Sequence, residues 1–284
     1  MRKVELTKGI HSSVLGFGCA PILGAVDAKT AKYALDFALD HGVTHLDLGR
    51  SYGFGEAEQF VGKLTKGRRN EVVLASKFGI KPNWKASLLK SVKPIIRVAR
   101  KQISRSGEAQ PIPSESTAKN ASNRFLDRID PLRGSDMRNS LEKSLKELHT
   151  NHLDYFFIHE PHSTVAYIDE LQETAEKLKA EGKIRAWGIA YMQSQKHLHE
   201  PYINSFDLLQ FNKPQTSLAY DQLVQERGRQ SNVIFSPIKG FCDRTNRMQP
   251  AEKIKKLIND FPNSVVLCSM FNLEHLKQNI LCVS

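Results

Sequence analysis

The sequence predicts an α/β fold, a (β/α)8 TIM barrel occupying residues 1–284 as a single domain. Short β-rich apolar runs recur about eight times between amphipathic helical stretches, with no break in composition. Parallel strands need helical crossovers, and eight such units are the number that closes a sheet on itself. The content of 40% hydrophobic and 25% charged residues is enough to bury a sizeable core without disulfides or metals.

The first strand is expected at 14–18, VLGFG. Asp27 then caps the helical stretch AKTAKYALDFALDHG, and Gly42 ends it. Strands follow at 43–48 and 72–76. Before the next one, at 155–158, the stretch SDMRNSLEKSLKELHT sets Leu141, Leu145 and Leu148 on one face behind a Ser135 or Asp136 cap. The remaining strands are expected at 186–190, 208–211, 233–236 and 265–269. One connection breaks the rhythm, a long basic insertion at about 81–134 after the third strand. Its first part spaces Leu88, Val92, Ile95, Ala99 and Ile103 like a helix face with Pro94 as a kink, and SGEAQPIPSESTAKNASN after it reads as a mobile, turn-rich loop.

Charge limits the classes of partner. The formal net charge is +11, but twelve cations against four anions fall within 81–133, so most of the excess belongs to the insertion. Trp84 and Phe125 are its only aromatics, unlike a nucleic-acid face with aromatics among its cations. Lid, electrostatic funnel, docking surface for an acidic partner or membrane, and plain solvated loop all remain open for it. No run approaches the roughly 18 apolar residues of a membrane span, and the N-terminus is polar. The four cysteines, Cys19, Cys242, Cys268 and Cys282, show no CxxC spacing and read as reduced thiols of a cytoplasmic protein.

In a barrel of this kind functional groups collect where strands end. Asp47 and Tyr52 follow the second strand, Lys77 the third and His159 the fourth. Singly, each has a structural explanation: a turn cap, a snorkelling lysine, a rim histidine. Together they suit carbonyl reduction. An ammonium lowers the pKa of an adjacent phenol, a carboxylate keeps the ammonium charged, and the phenol can then protonate a developing alkoxide while a neutral imidazole orients the carbonyl. Taking His41, His45, His159 and His162 as metal ligands is disfavoured, because His41 ends a helix and His162 sits in a loop.

These residues lie in DLGRSYGFGEAE, ASKFG and LDYFFIHEP, and with GKIRAWGIA, LLQFN, FSPIKG and SVVLCSMFNLEHLKQN they make the chain resemble the aldo-keto reductases in order over nearly its whole length. The resemblance implies a catalytic tetrad of Asp47, Tyr52, Lys77 and His159, and hydride transfer from a nicotinamide cofactor bound without a Rossmann fold. GFGEAE accordingly has Glu58 where a dinucleotide fingerprint has its third glycine. The implied cofactor-binding positions are Gly18, Asp47, Gln210, Phe235, Ser236, Ile238, Ser269, Glu274 and Asn279.

The chain departs from the family at two places. Ala190 and Tyr191 replace a Ser-Asn pair that holds the nicotinamide amide, and no Lys or Arg stands just after the last strand, where His275 and Lys277 are the nearest cations. NADP(H) is therefore the expected cofactor with NAD(H) also admitted. The expected protein is a monomer without resident metal, acting on a small carbonyl substrate whose anionic group, if present, would meet Arg50. A nucleotide-binding regulatory subunit with little turnover is the alternative.

Overall fold

The computed structural model describes residues 1–86, 88, 124–238 and 249–283. An antiparallel hairpin of β1 (Lys3–Thr7) and β2 (Ile10–Ser13) comes first. The chain continues through β3 (Leu15–Gly18), α1 (Ala28–Asp40), β4 (His45–Asp47), α2 (Ala57–Leu64) and β5 (Val73–Phe78). A second antiparallel pair, β6 (Ile80–Pro82) and β7 (Leu126–Arg128), joins the two ends of the insertion. Then come α3 (Gly134–Leu148), β8 (Leu153–His159), α4 (Ile168–Ala180), β9 (Ile184–Tyr191), β10 (Leu208–Asn212) and α5 (Ser217–Arg227). The last elements are β11 (Asn232–Phe235), α6 (Pro250–Asp260), β12 (Val265–Cys268) and α7 (Leu273–Val283).

Strands β3, β4, β5, β8, β9, β10, β11 and β12 pair in that order and close, all parallel, so the expected barrel is the observed one. Strands buried on both faces carry near-continuous apolar side chains. Every residue of β5 and β8 is buried, and Tyr155 and Phe157, on the same face of β8 as His159, fill space that would otherwise be a pore. Among the described residues no helix is long and apolar enough to cross a membrane.

Local chemistry explains most of the boundaries. Asp27 caps α1 by accepting from the Lys29 and Thr30 N–H groups at 2.9 and 3.1 Å. Helix α3 begins two or three residues earlier than a Ser135 or Asp136 cap implies: Arg133 is the cap residue, and Asp136 reaches back from inside the first turn to accept the Arg133 N–H at 3.1 Å. The β1–β2 hairpin was not predicted, because Lys8-Gly9 is a weak turn signal between two polar segments. The helix face expected from Leu88 to Ile103 and the polar loop after it lie, Leu88 apart, outside the described residues.

The floor of the barrel is polar at one point. His45 is fully buried, its Nδ1 lies 3.0 Å from Ser12 Oγ, and burial pushes its pKa down to about 4. The unfolded histidine titrates near 6.5, so between these values the unfolded chain binds a proton that the folded one refuses. Stability is therefore expected to fall as pH drops from 6.5 towards 4, and His45→Asn to flatten that slope in urea melts at several pH values. A Cβ at Gly188 would lie 2.1 Å from the Leu208 carbonyl and 2.7 Å from the Phe157 ring. Gly188→Ala should cost about 3 kcal/mol or more of unfolding free energy, read from the urea midpoint.

Candidate active site

Parallel pairing brings the C-terminal ends of all eight barrel strands to one face, with Gly18 opposite Asp47, Lys77 opposite Phe157, and His159 and Gln210 both against Ala190. Lys77, 2% exposed, is fixed by three acceptors that match its three N–H donors. They are Asp47 Oδ2 at 2.6 Å, the Leu48 carbonyl at 2.8 Å and the Tyr52 hydroxyl at 3.1 Å. Gln210 Nε2 donates to the second Asp47 oxygen at 3.0 Å. The Tyr52 and His159 rings meet edge to face, centroids 5.6 Å apart. Asp47, Tyr52, Lys77 and His159 thus converge from three strands.

Tyr52 opens a short 3₁₀ turn, Tyr52–Phe54, that closes at Gly55 with φ +88°. A side chain there would be strained and would sit 2.7 Å from the Pro82 ring, so the glycine is required where the β6–β7 pair packs on the turn. The motif that resembles a phosphate loop is a turn presenting a phenol.

The electrostatics differ from the sequence expectation in one respect. Burial, followed by the charges of Asp47, Glu160 and Cys19, holds the Tyr52 phenol well above the usual tyrosine range. The expected lowering by Lys77 is outweighed, because a buried phenolate would face the carboxylate that neutralises the lysine. The phenol keeps its proton. Burial, then the Lys77 and Arg128 cations, push His159 well below the usual histidine range, so its imidazole is neutral. His159 Nδ1 is buried without a partner among the described residues.

Arg50 is not available to an anionic substrate. It is 6% exposed and paired with Glu58 and, at 2.8 and 3.2 Å, with Glu147, while Ser76 Oγ donates to Glu58 at 2.6 Å. This cluster ties the Tyr52 turn to α2, β5 and α3, and nothing in the spacing of Arg50, Glu58 and Glu147 announced it. Arg128 and Asp130 join His162 near His159, also unforeseen, because β7 returns them from the far end of the connection between β5 and α3. Among the described residues no three His, Cys, Asp or Glu side chains are grouped to hold a metal.

A groove of about 590 Å³ runs along the ends of β11 and β12. Ser236, Ile238, Ser269 and Asn279 line it, joined by Asn272 and His275. Gly18 is adjacent, its carbonyl accepting from Ser269 Oγ at 3.1 Å. Glu274 is not in the lining; it is exposed and paired with Lys277 at 3.1 Å. Gln249 and Pro250 start α6 and Asn272 caps α7, so two helix N-termini meet the groove, a setting that favours anions. Sequence reading missed Gln249 and Pro250, which carry no signal apart from the helix they begin. Gln210 Oε1 is buried without a partner among the described residues, and the Phe235 ring is half-buried. An orphaned amide oxygen, an aromatic ring and an anion-favouring groove fit the nicotinamide dinucleotide that the sequence resemblance implies.

A family model described as the aldo/keto reductase family matches residues 14–200. The chain is 30% identical over 188 residues to the aldo-keto reductase YhdN of Bacillus subtilis, covering 64% of this chain and 44% of that protein. It is 27% identical over 276 residues to the methylglyoxal reductase YeaE of Escherichia coli, covering 90% and 79%. The chain spans about half the length of the Bacillus subtilis relatives, 44% of YhdN and 49% of the uncharacterized oxidoreductase YqkF. Its fold is similar to the holo form of the aldo-keto reductase AKR11C1 from Bacillus halodurans, with TM-score 0.70, 24% identity, and coverage of 100% and 91%. It is also similar to a Klebsiella pneumoniae aldo-keto reductase in complex with NADPH, with TM-score 0.64, 18% identity, and coverage of 99% and 89%.

The Arg50 cluster yields a stability expectation. Glu58→Gln removes the carboxylate that Arg50 and Ser76 share and should cost about 3 kcal/mol in urea unfolding, the order expected when one partner of a buried ion pair is lost.

Proposed function

The chain belongs to the aldo/keto reductase family, and on that premise we propose that it reduces aldehydes or ketones to alcohols with NADPH. The observation that carries the reading is the three-way bond of Lys77 to Asp47, Leu48 and Tyr52 beside a neutral His159. Gln210, Phe235, Ser236, Ile238, Ser269 and Asn279, with Gly18 and Asp47 beside them, would hold the cofactor, which supplies a hydride when bound. NADH remains admissible, since His275 is the only basic residue among the described residues lining the groove.

Tyr52 acts as general acid. Its high pKa keeps the proton on the phenol until negative charge develops on the substrate oxygen, and the Lys77 ammonium then stabilises the phenolate left behind. Asp47 keeps Lys77 charged and aimed, and Gln210 restrains the carboxylate from the other side. His159, as a neutral N–H donor, orients the carbonyl oxygen toward Tyr52. The same reading makes the protein a cytoplasmic monomer acting on a small-molecule carbonyl compound.

A second reading, a nucleotide-binding regulatory subunit with little turnover, is favoured by one feature: Tyr191 fills the place of a small polar residue, with its hydroxyl buried and unpartnered among the described residues. One experiment separates the two. Tyr52→Phe should lower aldehyde-dependent NADPH oxidation by about 10²–10⁴-fold, the usual contribution of a general acid, while NADPH affinity by fluorescence quenching changes little. Turnover retained in Tyr52→Phe refutes the assigned role. Tight NADPH binding with no oxidation by the wild type across a carbonyl panel favours the regulatory reading.

A further inference from the structure

Arg128 ends β7, and its Nη1 donates to the Glu160 carbonyl at 2.6 Å, one residue beyond His159. Glu160 has φ +43° and donates its own N–H to the Ala190 carbonyl at 2.7 Å. A non-glycine residue stays in this left-handed region when its surroundings over-determine it, and such geometry clusters at binding sites. The guanidinium is thereby pinned beside the imidazole, and its other N–H groups have no acceptor among the described residues. A cavity of about 70 Å³ opens at this point, lined by Gly79, Arg128, Leu132, His159, His162 and Ser163 among others. His159, 7% exposed, brings to it an Nδ1 without a partner among the described residues.

Asp130, which also lines the cavity, accepts from Ser163 Oγ at 2.8 Å, and Asp127 accepts from Asn83 Nδ2 at 3.1 Å, so each has a donor other than Arg128. We infer that this cavity receives a carboxylate carried by the carbonyl substrate, with Arg128 as the specificity-determining residue and His162 beside it. The inference rests on the reductase reading and narrows its substrates to short aldehydo or keto acids. A guanidinium fork matches the two oxygens of a carboxylate, and the cavity has room for that group and little more, since a water's share of liquid volume is about 30 Å³. The carboxylate of Glu160, felt at both Tyr52 and Arg128, opposes a second negative charge, so the expected ligand is a monocarboxylate. Arg50, the arginine nearest the tetrad in sequence, is consumed by Glu58 and Glu147, and this role falls to an arginine that only the β6–β7 pairing brings near.

The test compares 4-oxobutanoate with 4-oxobutanamide, which differ in charge and hardly in shape. Wild-type kcat/KM should favour the acid. Arg128→Gln should lower the acid-to-amide ratio about tenfold or more, the size of a lost charge-assisted hydrogen bond, and Arg128→Lys should fall between. A ratio that Arg128→Gln leaves unchanged overturns the inference. Reduction of neither compound while other aldehydes of a carbonyl panel are reduced overturns the inference; reduction of no carbonyl in the panel overturns the reductase reading instead, and calorimetry then decides the cavity separately. Tighter wild-type binding of butanoate than of butanamide, lost in Arg128→Gln, supports it; equal affinities sink it.

Discussion

The buried bond between the Lys77 ammonium and the Asp47 carboxylate is the interaction on which the site depends. Both groups are nearly sealed from water, and their desolvation is costly unless every proton and lone pair finds a partner. Here the partners are supplied: Leu48 and Tyr52 complete the lysine, and Gln210 takes the second carboxylate oxygen. The phenol is consequently part of the pair's solvation. Its position follows from the charge it helps to bury, in addition to the packing that holds its turn.

That arrangement needs a scaffold that does not yield. Asp47 and Lys77 lie on adjacent parallel strands, β4 and β5, and a shift of register by one residue would turn one of them to the other face. Two further charge clusters oppose such a shift. Arg50, Glu58 and Glu147 lock the turn behind Tyr52 to α2 and α3, and Asp154, at the opposite end of β8, pairs with Arg69 and Arg185 at 2.9 Å each. The same residue types therefore do different work according to the end of the strand they occupy: Asp154 at the floor fastens loops through Arg69 and Arg185, and Asp47 at the mouth holds Lys77 against the Tyr52 phenol.

Much of the barrel was legible in the sequence because burial on both faces of a parallel sheet forces near-continuous apolar runs, and these are visible at every one of the eight strands. The three ionisable residues that end or follow such runs, Asp47, Lys77 and His159, were legible for the same reason: an ionisable group in a buried strand is conspicuous, whereas Gln210 was legible only through the resemblance to the family. Arg50 was misread as a ligand contact, because a lone arginine in a loop gives no sign of carboxylates that approach it from 8 and 97 residues away in the chain. The phenol's acidity was misread as well, since the expected neighbour Lys77 was counted without the desolvation that burial imposes.

By itself the sequence determined the order of strands and helices and the identity of the polar groups at the strand ends, since hydrophobic periodicity and local capping chemistry are properties of neighbours along the chain. Only the tertiary structure decided which charges satisfy one another: that Arg50 is spent on two glutamates, that Arg128 returns to His159 through the β6–β7 pair, and that Tyr52 keeps its proton. Those outcomes depend on distances of a few ångströms between residues far apart in sequence and on exclusion of water. Both exist only once the barrel has closed.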